Sequence, residues 1–422
     1  MVNQKEIFET YESEVRSYCR NFPTVFTTAK GSVVTDSDGN SFIDFFNGAG
    51  ALNYGHNNEY IKGKVIEYLQ TDGVMHWLDM MTAPKAEFIQ FMEEKVLQPR
   101  GLDYKIMFPG PTGTNAIEAA LKVARKYTGR TNIWALMGAF HGMTLGAMAI
   151  TTDRTDRKAA GAPLVGATHI PAPYMFPELD TIKYMQTLLD DDHSGVEKPA
   201  ALIMETIQAE GGIYVLPVDY LKKVREFCTK NDILLIIDDI QAGNARSGWF
   251  FSFERAGIVP DIVCMSKSIG GIGLPLALVL LKPEIDCLKP GEHNGTFRGN
   301  QLGFVAGKAG LEFMLNAHVE EGVREREKVV KKVLQERVID KYADRGIEVR
   351  GLGLMYGIEM HENRLSKAVL NECFKNGLIL ERAGRDDSVV KIMPSLVIPM
   401  DLLEKGLNIV CDAVDKVLAE EA

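Results

Sequence analysis

Cysteine is sparse and scattered in this chain of 422 residues: Cys19, Cys228, Cys264, Cys287, Cys373 and Cys411 lie far apart, and no two are spaced as CxxC. That excludes a zinc ribbon and a disulfide framework, and suits reduced thiols in a cytoplasm. Positive charge is in deficit, with 47 Lys and Arg against 57 Asp and Glu. The resulting net charge of −10 lacks the basic face that nucleic acid requires. Long apolar runs are missing too: the longest, Leu274 to Leu281, is too short to cross a bilayer and the right length for a buried strand. No internal period or low-complexity tract suggests a repeat architecture. No GxGxxG is present, since Gly270-Gly-Ile-Gly273 lacks the third glycine, so no nicotinamide dinucleotide site is expected. The leading Met1-Val-Asn-Gln-Lys-Glu-Ile-Phe8 is polar and acidic, unlike a signal peptide. What remains, 46% hydrophobic and 25% charged residues, is an ordinary globular composition, long enough for a large domain and a smaller one.

The chain changes texture twice. Near its start, Asp36-Ser-Asp-Gly39 between Val33–Thr35 and Phe42–Phe46 predicts a hairpin. From about residue 105, short apolar runs alternate with helical patterns. Strands are expected at 105–108, 132–137, 201–204, 233–237, 261–265 and 276–281, and helices at 114–128 and 218–231. Apolar strands separated by helices make a mostly parallel sheet covered on both faces. After about residue 300 come a charged amphipathic helix over 319–344, a strand at 354–360, a helix near 365–376, a short run at 389–393 and a last helix from Met400. With no Ser- or Pro-rich linker, we expect a continuous body: a large domain over 56–304, and a small α+β domain formed by 1–55 and 305–422.

Candidate chemistry gathers where these strands end. Asp238 closes the apolar run Ile236-Ile237, and a carboxylate there is costly unless it finds a partner. Ligands in open α/β sheets bind at such strand ends; taken alone, Asp238 could equally cap a helix. Lys267 follows the run Val263-Cys-Met-Ser266 and precedes Gly270-Gly271. Partial desolvation there would lower its pKa toward nucleophilic values. Phe108-Pro-Gly-Pro-Thr-Gly113-Thr114-Asn115 reads as a strand, a tight turn and a helix N-terminus, which together suit an anion such as phosphate. Phe140-His141-Gly142 follows another strand, where an aromatic ring can stack on a planar heterocycle. A lone Phe or His in such a place is more often structural.

Taken in order, Gly113-Thr114, Phe140-His141-Gly142, Glu205-Thr-Ile-Gln-Ala-Glu210-Gly-Gly, Asp238-Asp-Ile-Gln241, Ser266-Lys267 and His293-Asn-Gly-Thr296-Phe resemble the motifs of the class III aminotransferases. These are pyridoxal-phosphate enzymes of fold type I, and the resemblance runs from about Phe22 to the last helix. It implies an α/β fold with a mostly parallel sheet in the large domain, and pyridoxal 5′-phosphate as cofactor. Lys267 matches the Schiff-base lysine that also shuttles the substrate proton, and Asp238 the carboxylate that keeps the pyridine nitrogen protonated. Ile240 and Phe140 match the residues on the two ring faces, and Gln241 the contact to the ring hydroxyl. Gly113 and Thr114 match the phosphate turn; His141 and Glu205 belong to the cofactor motifs. Thr296 matches the residue that reaches the phosphate of the other subunit, which implies a homodimer. Glu210 matches a glutamate near the substrate that can pair with a movable arginine. No metal is implied.

The resemblance is strongest to a subgroup of ectoine biosynthesis that moves the amino group of glutamate onto aspartate semialdehyde. It is carried by Glu12–Tyr18, Phe22–Phe26, Phe45–Asn57, Phe108–Asn115, Phe140–Thr144 and Lys289–Asn300. Many ω-aminotransferases have arginines where this chain has Met143 and Lys391, and the subgroup looks similar at both positions; Lys391 is a candidate for holding a substrate carboxylate. The chain departs from the subgroup at Trp77, Ala209, Asn244 and Gly270, where Ser, Gly, Cys and Ser are expected. An ω-aminotransferase for another terminal amine, or a lyase or aminomutase on the same fold, are the alternatives.

Overall fold

A computed structural model describes residues 4–421 of the chain; residues 1–3 of the leading polar stretch lie outside them. At its centre is a seven-stranded sheet: β1 (Lys105–Met107), β2 (Ile133–Leu136), β3 (Ala167–Ile170), β4 (Ala201–Met204), β5 (Leu234–Asp238), β6 (Ile262–Met265) and β7 (Leu278–Leu281), in the order β1-β7-β6-β5-β4-β2-β3. The pairs among β2 to β6 are parallel, and β7 runs antiparallel to both β6 and β1. Every residue of β2, β4, β6 and β7 is buried, as expected for strands covered on both faces. The helix α1 (Gly113–Thr128) turns Ala116, Ile117, Ala119, Ala120, Leu121, Val123 and Ala124 inward. Its alanines let the backbone lie close to the sheet, where Cys264 Sγ on β6 comes within 3.6 Å of the Ala116 carbonyl.

The two ends of the chain meet. The strands Phe26–Lys30, Val33–Asp36 and Ser41–Asp44 form an antiparallel sheet, and Leu378–Ile379 adds to it in parallel, Leu378 opposite Ile43. A third sheet, also antiparallel, orders Glu348–Leu352, Met355–Glu359, Val389–Ile392 and Glu381–Ala383. The terminal helix, Met400–Glu420, buries an apolar stripe from Leu403 to Leu418.

Most predicted elements are found within a residue or two. β3 was not anticipated: Ala167-Thr-His-Ile170 is half polar and lies at the sheet's edge. β7 starts later than expected, at Leu278, where its pairing with Met265 of β6 begins. The long charged helix is regular only over Val319–Leu334, then widens into a π-helical turn at Gln335–Ile339. No helix among the described residues is long and apolar enough to span a membrane.

Candidate active site

The carboxyl ends of the parallel strands converge on one region. β5 ends on Asp238, which is 5% exposed. Its Oδ2 lies 2.7 Å from Nδ1 of the buried His141, beyond β2, and its Oδ1 accepts from the Ile240 amide at 3.1 Å. The partner that a carboxylate at a buried strand end needs is therefore His141, with a short turn made at the same time. Burial alone would lower the His141 pKa; the hydrogen bond and charge of Asp238, and the charge of Glu205, raise it above the ordinary value. The other ring nitrogen, Nε2, is buried without a partner.

β6 ends at Met265, and Lys267 begins a short 3₁₀ turn with φ +54°, a left-handed backbone that lysine rarely adopts. Burial lowers its pKa, against the pull of Glu210 and with the push of Lys391. The segment 47–52 forms a wall of this region: a Cβ on Gly50 would lie 3.5 Å from Gln241 Cγ, 3.8 Å from Lys267 Cδ and 3.9 Å from Met393 Sδ. Gln241 donates its Nε2 to the Ala49 carbonyl at 2.9 Å and to Glu210 Oε1 at 3.2 Å, which leaves its Oε1 buried and unpartnered. That orphan acceptor is free to accept from a ligand's donor.

The anion turn follows β1. α1 starts at Gly113, and its first N–H groups have no intrahelical partner. Asn115 Oδ1 accepts from the Thr112 amide and hydroxyl at 3.3 and 2.8 Å, so the turn is tied by its own side chain. Thr114 Oγ1 bonds Thr144 Oγ1 at 2.6 Å. Two glycines close the turn tightly. A Cβ on Gly113 would lie 3.1 Å from Ile240 Cδ1, and one on Gly142, at φ +123°, would fall 2.6 Å from Thr114 Oγ1.

Glu205, at the end of β4, accepts from the amides of Phe140 and Ala209 at 3.1 and 3.2 Å. It fastens the loop that carries Phe140 and His141. Burial raises its pKa to about 7, with Asp238 adding to the shift and His141 opposing it.

Lys391 is fully buried. Its Nζ lies 2.6 Å from Glu210 Oε1 and 2.9 Å from Glu381 Oε2. Both carboxylates raise the lysine's pKa against the cost of its burial. Lys391 also holds Glu210 below the usual carboxylate range despite burial, whereas burial pushes Glu381 upward. Glu381 faces Lys391 across the antiparallel register of two short strands. Sequence reasoning missed it, because a single carboxylate ten residues before a lysine carries no signal until that register is known.

Lys267, Asp238, His141, Gln241, Glu210 and Lys391 are thus linked through direct contacts or shared neighbours, with Gly113, Thr114, Phe140, Glu205 and Ile240 around them. Thr296 stands apart on an exposed loop, where its carbonyl accepts from His76 Nε2 at 2.6 Å. A surface cavity of about 560 Å³, lined by Arg225, Asp261 and Lys282, opens at the amino ends of β5 and β6, away from this chemistry.

The family described as Aminotransferase class-III matches residues 15–414. The chain is 48% identical to a diaminobutyrate–2-oxoglutarate transaminase of Oceanobacillus iheyensis over 99% of its own length and 97% of the relative's. It is 49% identical to the enzyme of that name from Halalkalibacterium halodurans, over 98% and 97%. Among solved structures it resembles a Bacillus anthracis aminotransferase with a TM-score of 0.86 and 26% identity, covering 97% of each chain. It shares the fold of a Toxoplasma gondii ornithine aminotransferase whose active site is partly occupied by pyridoxal phosphate, with a TM-score of 0.85 and 23% identity over 98% and 94% of the two chains.

Proposed function

The chain belongs to the class-III aminotransferases, and on that premise we propose that it transfers the amino group of glutamate to L-aspartate 4-semialdehyde, giving L-2,4-diaminobutyrate and 2-oxoglutarate. That it is an aminotransferase using pyridoxal phosphate follows from the family. The choice of substrates rests on the names of relatives nearly half identical over almost the whole chain. A paralogous ω-aminotransferase, a lyase or an aminomutase draws no support from any observation.

One observation carries the assignment of residues: a half-buried lysine with a depressed pKa, opposite a buried Asp–His pair, beside a glutamine whose carbonyl lacks a donor. These groups fit the cofactor. When bound, pyridoxal phosphate links to the amine and draws electrons from the carbon that bears it. Asp238, steadied by His141, would hold a proton on the ring nitrogen. Gln241 Oε1 would accept from the ring hydroxyl, and Phe140 and Ile240 would flank the ring. The amides of Gly113 and Thr114 would hold the phosphate. Lys267 would anchor the cofactor; its Nζ, whose pKa burial lowers, would take the proton from the amine-bearing carbon and return it.

A homodimer is part of this reading. Trp77, Phe297 and Met81, 54%, 63% and 100% exposed, lie on the two segments that flank the His76–Thr296 bond. Apolar side chains so exposed suit an interface. Across it, Thr296 would reach the partner's phosphate. We also read the enzyme as cytoplasmic and its product as a precursor for ectoine.

The test uses purified, cofactor-loaded protein. Glutamate alone and 2,4-diaminobutyrate alone should each bleach the cofactor's visible band, and aspartate semialdehyde should restore it. If neither amine bleaches the band and another terminal amine does, the substrate assignment is wrong.

A further inference from the structure

We propose that Arg246 is a positioning residue for the cofactor: it holds the left-handed turn Asn47–Gly50, and through that turn keeps the Gln241 carbonyl available to the ring hydroxyl. This rests on the reading of Gln241 above. The turn is strained. Asn47, Gly48 and Ala49 have φ of +55°, +55° and +53°, and Gly50 has φ +92°. Successive left-handed residues are rare in a chain of L-amino acids, and neither Asn47 nor Ala49 is a glycine. Such a backbone persists only where its surroundings over-determine it. What the turn delivers is a carbonyl. The Ala49 oxygen accepts from Gln241 Nε2 at 2.9 Å, and Glu210 Oε1 accepts from the same nitrogen at 3.2 Å. With its nitrogen so occupied, the Gln241 amide is set in one orientation, its Oε1 buried and without a donor.

Arg246, on the turn beyond β5 that also carries Gln241, is fully buried. Its hydrogen bonds among the described residues all go to neutral oxygens. Nη1 donates to the Leu354 and Pro394 carbonyls at 2.8 and 2.5 Å, and Nη2 to Asn53 Oδ1 at 2.6 Å. With its amide turned to satisfy both ends, Asn47 accepts from Nη2 at 2.7 Å and donates to the Leu52 carbonyl at 2.6 Å. Asn53 Nδ2 donates in turn to the Asn244 carbonyl at 3.1 Å. Burial lowers the pKa of the guanidinium to about 9, against the charge of Asp44. A buried cation met by dipoles alone is costly, and an apolar side chain would fill the space without that cost. The planar fork does what an apolar side chain cannot: it fixes the spacing of three segments at once. Two of them border the site. Asn47 and Asn53 flank the strained turn, and Pro394 follows Met393, whose Sδ lies 3.9 Å from where a Cβ on Gly50 would stand. Asp44 secures the start of the turn, accepting from the Phe46 and Asn47 amides at 2.8 and 2.7 Å, and Arg246 secures its flanks.

The test is a double-mutant cycle on cofactor affinity, read by titrating pyridoxal phosphate into the full chain stripped of cofactor and following the visible band. Gln241→Ala should weaken binding about two- to tenfold, the worth of one hydrogen bond. Arg246→Met should weaken it by a similar factor, and adding Arg246→Met to Gln241→Ala should weaken it little further. If Arg246→Met weakens binding by the same factor with and without Gln241, it acts on the fold at large and the inference is overturned. Hydrogen exchange gives a second readout. The amides of Ala49, Ala51 and Leu52, which bond within the turn, should exchange about tenfold faster or more in Arg246→Met, the loss of one charge-assisted hydrogen bond, while those of β5 and β6 stay protected. Equal loosening of turn and sheet, or no change at the turn, overturns the inference. Should Arg246→Met fail to fold, Asn53→Ala removes one arm of the same tie and should show both effects at smaller size; wild-type behaviour there overturns the inference as well. If Gln241→Ala leaves cofactor affinity unchanged, the reading of Gln241 falls and this inference with it; if Gln241→Ala weakens binding and Arg246→Met does not, only this inference falls.

Discussion

Replacing Lys391 with methionine keeps most of the side chain's volume and removes the one cation between two buried carboxylates. In the native chain Glu210 sits below the ordinary carboxylate range because of Lys391, and Lys391 sits above the ordinary lysine range because of both glutamates. A group with a lowered pKa contributes stability above its unfolded value and loses it as pH falls through the folded one. Without Lys391, both Glu210 and Glu381 should have raised pKa values, through burial and mutual repulsion, so each would cost stability above the ordinary carboxylate pKa. Breaking a buried pair costs about 3–5 kcal/mol; Glu210 keeps 29% of its side-chain surface in contact with solvent, which favours the lower part of that range. With an unfolding entropy of roughly 0.9 kcal/mol/K for a chain this long, the melting midpoint at pH 8 should fall by about 4 °C. Scanning calorimetry from pH 8 downward should show the deficit shrinking as the two carboxylates take up protons, and replacing both glutamates with glutamine in the same variant should recover most of it. A deficit independent of pH, or none at pH 8, would refute the description of this cluster as charged.

Three further outcomes are expected. Lys267→Ala should abolish turnover and shift the bound cofactor's absorbance, and any retained full turnover would remove Lys267 from the mechanism. Asp238→Asn, with the same shape but no charge toward His141, should lower kcat by roughly a hundredfold or more, the loss of about 3 kcal/mol of electrostatic stabilisation, with the circular dichroism of the fold unchanged; a change of under threefold would contradict its role. Gly142→Ala would drive a methyl group into Thr114 at a φ that alanine resists, so it should destabilise the chain by about 1–3 kcal/mol and speed loss of cofactor on dialysis; behaviour like wild type would deny the close approach.

How much of this was legible in the sequence depended on how local the signal was. β4, β5 and β6 are short apolar runs bounded by turns, and the residue that ends each run, or follows closely, is the one that matters: Glu205, Asp238 and Lys267. A parallel sheet puts those ends on one side, so the order of motifs alone indicated a common site. The first hairpin was equally readable from Asp38-Gly39. β3 was not, because an edge strand needs no continuous apolar run. Glu381 was not, because its meaning comes from an antiparallel register that places it opposite Lys391. Nor does the sequence say that His141 is the partner of Asp238, 97 residues away, since that pairing exists only once β2 and β5 are neighbours of β4.

The account's central claim concerns where an amino group goes. The most direct measurement is to incubate the enzyme with ¹⁵N-glutamate and aspartate semialdehyde and to locate the label in the product by NMR. The account predicts 2,4-diaminobutyrate with ¹⁵N on C4 and unlabelled nitrogen on C2, together with 2-oxoglutarate in equal amount. Label elsewhere, or unlabelled semialdehyde recovered while another oxo acceptor is consumed, would contradict it.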